Sequence, residues 1–300
     1  MKPLFVIWTM DCEPVSTRKS DDAPRTWNQS ARSIDAFCSR LLVANYLPTL
    51  FIVSDCAEEH EPMFEEIQAR GGELALMVDP PQMRSANYSK HLGQYKPAEQ
   101  REILERSLAH FEESLGVQPR SIRTGGYSAS DETYRIVYEL GFRQGTLSNP
   151  GQDRPRYGSS WVGAPNDAHL VDGENRLQAG RLPFLEIPPT VDATQVTRMG
   201  YPWQMRIEIG TFEDWLKPIA ESQLERMQRD NVDFQVLYIS TRNSVEYGQA
   251  NNYSDTLDAL IDYVDSLSER YEIVPVTLAS AHARYRRMQV ELAQRSADAN

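Results

Sequence analysis

Two carboxylates stand two residues apart in Asp11-Cys12-Glu13. They follow an apolar run, Leu4–Met10, with the length and composition of a buried strand. Residues two apart in an extended chain face the same way, so both carboxylates point to one side. Such a pair can share a metal ion or divide into base and ligand. The plainer reading is a helix cap or turn carboxylate, since Pro14 follows Glu13. Asp79 ends another apolar run, just before Pro80-Pro81, where it either serves chemistry or opens a turn. Arg123 ends a third, short run and leads into Thr124-Gly125-Gly126-Tyr127. Its guanidinium suits a carboxylate, and the two glycines let a ligand approach the backbone; a structural ion pair is the alternative. Strand ends of this kind are where α/β folds gather their active sites.

The other reactive side chains are less suggestive. The five histidines, His60, His91, His110, His169 and His282, form no His-x-His or His-x-x-x-His pair. His91 and His169 lie in loops and can reach a site; His60 and His110 read as surface residues. No Gly-x-Ser-x-Gly elbow, no Gly-x-Gly-x-x-Gly after the first run and no P-loop is present. Cys12, Cys38 and Cys56 are odd in number and at no zinc-finger spacing, which fits a reducing compartment. They read as small core hydrophobes. Cys12 sits between two carboxylates, a setting that raises a thiol pKa and disfavours a nucleophile.

The elements that position these residues alternate. Strand-like runs cover Leu4–Trp8, Pro48–Val53, Glu73–Val78, Arg120–Arg123, Phe142–Leu147, Pro183–Val191, Phe234–Ser240 and Glu272–Val276. Between them lie amphipathic helical patterns, such as Ile34, Phe37, Cys38, Leu41 and Leu42 on one face. Gly71-Gly72, Gly116 and Gly141 stop helices, Pro97 opens one, and Thr211-Phe212-Glu213-Asp214 is a capping box with Asp in place of Glu. Residues 149–181 break the rhythm and read as a long loop insertion; 295–300 read as a frayed tail. Strands separated by helices imply a parallel sheet. One (β/α) barrel spanning 1–300 is the expected architecture, with a doubly wound open sheet as runner-up.

Composition bounds the rest. The 300 residues carry 31 basic and 43 acidic side chains, a net charge of −12, which argues against nucleic acid as a partner. No stretch approaches the roughly 18 apolar residues of a membrane span, and the first run has no cleavage site after it, so a soluble, cytoplasmic protein is expected.

The ordered segments resemble the polysaccharide deacetylase family, the NodB-homology carbohydrate esterases, over about residues 4–280. Trp8-Thr9-Met10-Asp11-Cys12-Glu13 resembles its first motif, Leu50-Phe51-Ile52-Val53 its second strand, and Phe64–Leu74 the helix and strand before its metal histidines. Ser121-Ile122-Arg123-Thr124-Gly125-Gly126-Tyr127 resembles its third motif, and Leu185-Glu186-Ile187-Pro188 the strand that follows. The resemblance implies the family's distorted seven- or eight-stranded barrel. It implies Asp11 as base, Arg123 as the residue orienting it, and Glu13 as a metal ligand. Tyr127, Gly125, Gly126 and Trp161 are the residues expected to meet a carbohydrate or sugar-derived ligand.

The departures concern the chemistry. The family's two metal histidines should fall at Met77 and Asp79, and methionine is a poor ligand for a hard or borderline cation. The late histidine that acts as general acid should follow Phe234–Ser240, where the chain reads Thr241-Arg242-Asn243-Ser244. Three readings stay open: a family member with a degenerate metal site and weak or absent hydrolase activity that binds a saccharide of the N-acetyl amino-sugar class, a deacetylase with a rebuilt site in which Glu13, Asp79 and His91 hold the metal, and a metal-free sugar-modifying enzyme. The expected cofactor is none, or a weakly held divalent metal. Trp8, Trp27 and Trp203 are further stacking candidates.

Overall fold

The computed structural model describes residues 1–16, 23–83, 88–197, 201–248 and 251–298. Its first strand, β1 (Pro3–Cys12), is buried along nearly its whole length. A strand covered on both faces needs a continuous apolar run, and Leu4–Trp8 supplies one. There follow α1 (Trp27–Val43), β2 (Pro48–Val53), α2 (Ser54–Glu59), α3 (Glu61–Ala69), β3 (Glu73–Val78), α4 (Pro97–Leu115), β4 (Ser121–Thr124), α5 (Thr133–Glu139) and β5 (Gln144–Thr146). Three small strands, β6 (Asp153–Arg154), β7 (Ser159–Ser160) and β8 (His169–Val171), precede β9 (Leu182–Glu186). A hairpin of β10 (Val191–Val196) and β11 (Pro202–Gln204) leads to α6 (Lys217–Arg229), β12 (Gln235–Arg242), α7 (Asn252–Ser266), β13 (Glu272–Pro275) and α8 (Leu278–Asp298).

The local chemistry of the ends explains several boundaries. Thr26 caps α1, its Oγ1 accepting from Gln29 N at 3.1 Å, so the helix starts before the apolar face that marks it in sequence. Gly116 ends α4 in the left-handed region, φ 64°. Thr211 accepts from Asp214 N as the capping pattern requires, and a π-helical turn, Phe212–Leu216, joins it to α6.

The main sheet runs β12-β1-β2-β3-β4-β5-β9-β8, with β13 added to the start of β1. Every pairing from β12 to β9 is parallel. From β1 to β9 the order advances in one direction, without the reversal of a doubly wound sheet, so the sheet curls on itself. The gap between its two ends is crossed by backbone outside the ladder. Tyr238 N donates to Thr190 Oγ1 at 2.8 Å, Ser240 N to Met205 O at 3.0 Å, and Met205 N to Thr190 O at 2.9 Å. The result is a distorted (β/α) barrel. Trp8, Leu50, Phe51, Leu76, Ile122 and Leu237 are fully buried in its strands, each stabilising the fold by roughly 1.5–3 kcal/mol.

Three expectations change here. Residues 149–181 contain β6, β7 and β8, and β8 pairs antiparallel with β9; strands of two or three residues are too short to leave a period in sequence. The stretch from 295 on continues α8 through Asp298; residues 299 and 300 lie outside the described residues. His60 is buried rather than superficial, edge-on to Trp27 and bonded to Ser30 Oγ at 2.9 Å. The short helix α2 and the β10–β11 hairpin carried no clear sequence pattern. Among the described residues no helix is long and apolar enough to cross a membrane.

Candidate functional site

Asp11 is the last residue but one of β1, Arg123 holds the same place in β4, and the curled sheet brings them together. Arg123 Nε lies 3.0 Å from Asp11 Oδ1, an ion pair in which no N–H is aligned on that oxygen. Both residues are buried, Asp11 at 3% and Arg123 at 2% exposure. The other Asp11 oxygen accepts from Arg206 Nη2 at 3.1 Å. Arg206 also pairs with Glu208, which accepts from Arg242 Nε at 2.7 Å and from Thr241 Oγ1 at 3.2 Å. Arg242 stands in register with Asp11 on the neighbouring strand. The site is thus a ladder of alternating charge, Arg123–Asp11–Arg206–Glu208–Arg242. Burial would raise the Glu208 carboxyl, but Arg206 and Arg242 outweigh it and hold it below the usual carboxylate range.

Sequence reasoning reached Asp11 and Arg123 through their strand ends. It missed Arg206, Glu208 and Gln204, which belong to the segment that crosses the barrel gap. No motif or period marks that segment. The polar Thr241-Arg242-Asn243 following a strand was the available signal, and it was noticed only for the histidine it lacks.

Glu13 is half-buried. Its backbone is held from both sides by one amide: Glu13 N donates to Asn243 Oδ1 at 3.1 Å, and Asn243 Nδ2 donates to Glu13 O at 2.9 Å. Asn243 Nδ2 also donates to Ser30 Oγ at 2.8 Å, which links it to His60. Burial, reinforced by the like charges of Asp11 and Asp79 and opposed by Arg242 and Arg206, pushes the Glu13 carboxyl up to about 7. The neighbouring Cys12 thiol is raised chiefly by burial; the flanking carboxylates add less.

Asp79 and His91 meet at the end of β3, with His91 Nδ1 3.5 Å from Asp79 Oδ1. Neither atom makes a hydrogen bond. Asp79 is packed against Gly125: a Cβ there would lie 2.1 Å from Asp79 Cγ, so this glycine makes room for a carboxylate. Gly126 is different. Its φ is 62°, and an added Cβ would meet nothing within 4 Å, so open space adjoins it. Tyr127 is buried, and its hydroxyl accepts from Arg123 Nη2 at 2.8 Å and from Gln204 Nε2. Trp161 does not offer a stacking face. It is fully buried, and its indole N–H donates to Tyr127 O at 2.8 Å, so it braces the Arg123 turn from behind. Trp8 is likewise fully buried, while Trp27 and Trp203 are half-buried, Trp203 stacked on Trp215 at 4.3 Å. A cleft of about 950 Å³ opens beside the far end of the charge ladder, lined by Glu208, Thr211, Arg242, Glu246, Asn252 and Tyr253.

The side chains present fit a resident metal poorly. Met77, in register with Arg123, is a buried thioether, and both Asp11 oxygens face guanidinium groups. Among the described residues no group of three or more His, Cys, Asp or Glu is arranged to hold a metal ion.

No family model matches the sequence, and no curated protein does. Solved structures do match in fold. A protein assigned as a polysaccharide deacetylase from Mycobacterium smegmatis superposes with TM-score 0.64 at 14% identity, over 96% of this chain and 92% of that one. One so assigned from Pseudomonas aeruginosa PAO1 gives 0.63 at 15%, over 95% and 91%. Puue allantoinase gives 0.61 at 14%, over 94% and 90%. With its curled parallel sheet, the chain shares its fold with these structures, two of which are assigned as polysaccharide deacetylases.

Proposed function

We propose that the protein is a polysaccharide deacetylase-like carbohydrate-binding protein, for ligands of the N-acetyl amino-sugar class, in which metal-assisted hydrolysis is weak or lost. The observation that carries this reading is the bond of Arg206 to Asp11, a second guanidinium added to Arg123, the one expected to orient a base. A general base must reach the water it activates, and here Arg206 takes up the oxygen that Arg123 does not face. The poor metal donor set and the absence of a histidine between Thr241 and Ser244 support it further. Loss of general acid help alone costs about 10²–10⁴-fold in rate. The residues 1–300 act as one unit in this reading. Three free, buried cysteines support retention in a reducing compartment, the cytoplasm.

A second reading keeps turnover without metal. It is favoured by Glu13, whose carboxyl, raised to about 7, lies in the range suited to acid–base work at neutral pH. Acetate release from N-acetylglucosamine oligomers, measured with and without zinc or manganese, separates the readings. The first expects release at or near background throughout. Release that needs added metal contradicts it and restores a rebuilt metal site. Release without metal that Glu13→Gln abolishes establishes the second.

A further inference from the structure

The loop insertion between β5 and β9 presents a guanidinium clasped by two tyrosines. Arg154, on β6, lies over the ring of Tyr157 at 3.8 Å and over that of Tyr201, which leads into β11, at 4.5 Å. Arg156 lies over the Tyr157 ring as well, at 4.8 Å. A ring face attracts the charge through its quadrupole, but it does not supply the acceptors that an arginine's five N–H donors require. Among the described residues, no carboxylate lies within ion-pair distance of Arg154 or Arg156, and no oxygen accepts from either side chain. Asp153 precedes Arg154 on the strand and points to the opposite side, where its Oδ1 accepts from Ser160 Oγ at 2.7 Å. Asp167 takes Arg226, and Asp172 accepts from the backbone of Glu174 and Asn175. Arg154 is half-buried, so its charge is partly stripped of water with no counter-ion beside it. In a chain of 43 acidic and 31 basic side chains, two neighbouring arginines without an acidic partner form a local positive spot.

That spot stands at the mouth of the barrel, and its backbone is fixed there. A Cβ on Gly158 would lie 2.9 Å from Gln94 Cγ and 3.0 Å from Ser128 Oγ, so the turn after Arg156 packs closely on its neighbours. Ala129 N donates to Gly158 O at 3.1 Å, Gln94 Nε2 to Arg156 O at 3.1 Å, and Gln152 Nε2 to Gly126 O at 3.3 Å. The Tyr157 ring meets the His91 ring edge-on at 4.8 Å. The two arginines are thus presented next to the Gly125-Gly126-Tyr127 turn, where open space adjoins Gly126. A neutral hydroxyl or acetamide there gains one hydrogen bond from a guanidinium. A carboxylate gains a charge-assisted, two-pronged bond whose planar geometry matches the fork. We infer that Arg154, with Arg156 beside it, binds the carboxylate of an acidic saccharide. The inference rests on the carbohydrate reading above and adds that the chain recognised carries a sugar acid.

Calorimetric titration at pH 7 and low salt, with chelator present, tests it on three saccharides. They are hyaluronan tetrasaccharide, which alternates glucuronic acid with N-acetylglucosamine, its methyl ester, and the neutral N-acetylglucosamine tetramer. The free acid should bind about ten-fold tighter than its ester, the lower range for a charge-assisted hydrogen bond, and the preference should shrink at high salt. Arg154→Gln should remove the preference while changing ester binding by less than about three-fold; Arg154→Lys, which keeps the charge and loses the fork, should retain part of it. Arg156→Gln, at an exposed position, should reduce the preference about two-fold and carries the test if Arg154→Gln does not fold. Acid and ester bound alike overturn the inference, and binding of the neutral tetramer then leaves the carbohydrate reading standing. Equal weakening of acid and ester in Arg154→Gln overturns it too, because the arginine would then only brace Tyr157 and Tyr201. An Arg154-dependent preference for N-acetylglucosamine 6-phosphate over N-acetylglucosamine, with none for acid over ester, overturns the carboxylate assignment in favour of phosphate. Failure of every saccharide to bind overturns both the inference and the carbohydrate reading.

Discussion

Replacing Arg206 by alanine removes one guanidinium from two buried carboxylates at once. Asp11 keeps Arg123 and Glu208 keeps Arg242, but each loses a charge-assisted bond in a site where Asp11 is 3% and Arg206 9% exposed. Taking one partner from a buried charge pair typically costs about 3–5 kcal/mol, because the remaining charge stays desolvated. At roughly 2–4 °C per kcal/mol for a chain of this size, the melting temperature should fall on the order of 10 °C. The pH dependence gives a second handle. Burial would raise the Glu208 carboxyl, but Arg206 and Arg242 hold it lowered. A lowered acid contributes stability above its unfolded value and loses it as pH falls through the folded value. The variant's deficit should therefore be full at pH 7.5 and shrink as pH drops below the ordinary carboxylate range. Thermal unfolding of wild type and Arg206→Ala by circular dichroism, at pH 7.5 and stepwise down to pH 2.5, checks both points. A deficit within about 2 °C at pH 7.5, or one equally large at pH 2.5, would refute the charge ladder as described.

Three further outcomes follow from the same geometry. Glu13 has the opposite sign: its folded carboxyl is raised to about 7, so ionisation opposes folding, and wild type should lose stability relative to Glu13→Gln as pH rises from about 4.5 to 7, then run parallel. The gain for the variant should not exceed about 3 kcal/mol in urea denaturation, and a gain that grows toward acid instead contradicts the burial of this carboxylate. Gly125→Ala should destabilise by about 1–3 kcal/mol because its Cβ meets the Asp79 carboxyl, whereas Gly126→Ala should cost only about 1 kcal/mol of backbone strain; equal midpoints in urea would remove the distinction. Trp161→Phe should cost about 1–3 kcal/mol by leaving the Tyr127 carbonyl unpaired, with saccharide affinity unchanged; a selective loss of affinity in titration would return Trp161 to the binding surface.

The strands and most helices were legible because their signals are local. Leu4–Trp8, Pro48–Val53 and Glu73–Val78 are short apolar runs closed by turn residues, and a run buried on both faces can be little else. Asp11 and Arg123 were legible for a related reason: each ends such a run, and strand ends face the loops that build sites. Even the replacement of expected ligands could be seen in one dimension, at Met77 and across Thr241–Ser244.

Pairings across long stretches of chain were not legible. Arg206 reaches Asp11 from 195 residues away, through a segment whose place in the barrel gap depends on Thr190, Met205 and Ser240 all finding backbone partners. No periodicity encodes such a contact, because a single ion pair leaves no repeat. Trp161 shows the same limit from the other side. An aromatic residue in a stretch rich in Gly, Pro and Asn reads as a ligand platform, and only packing against Tyr134, with the bond to Tyr127 O, makes it a buried brace. The amino-acid order alone therefore determined the barrel and the strand ends that deliver Asp11, Glu13, Asp79 and Arg123. Tertiary structure decided what holds each of them: two guanidiniums on Asp11, an amide clasp on the Glu13 backbone, and an unfilled acceptor at Asp79. Burial patterns repeat along a chain and so can be read from it, whereas the partner of a buried charge is set by which distant segments closure of the sheet brings into reach.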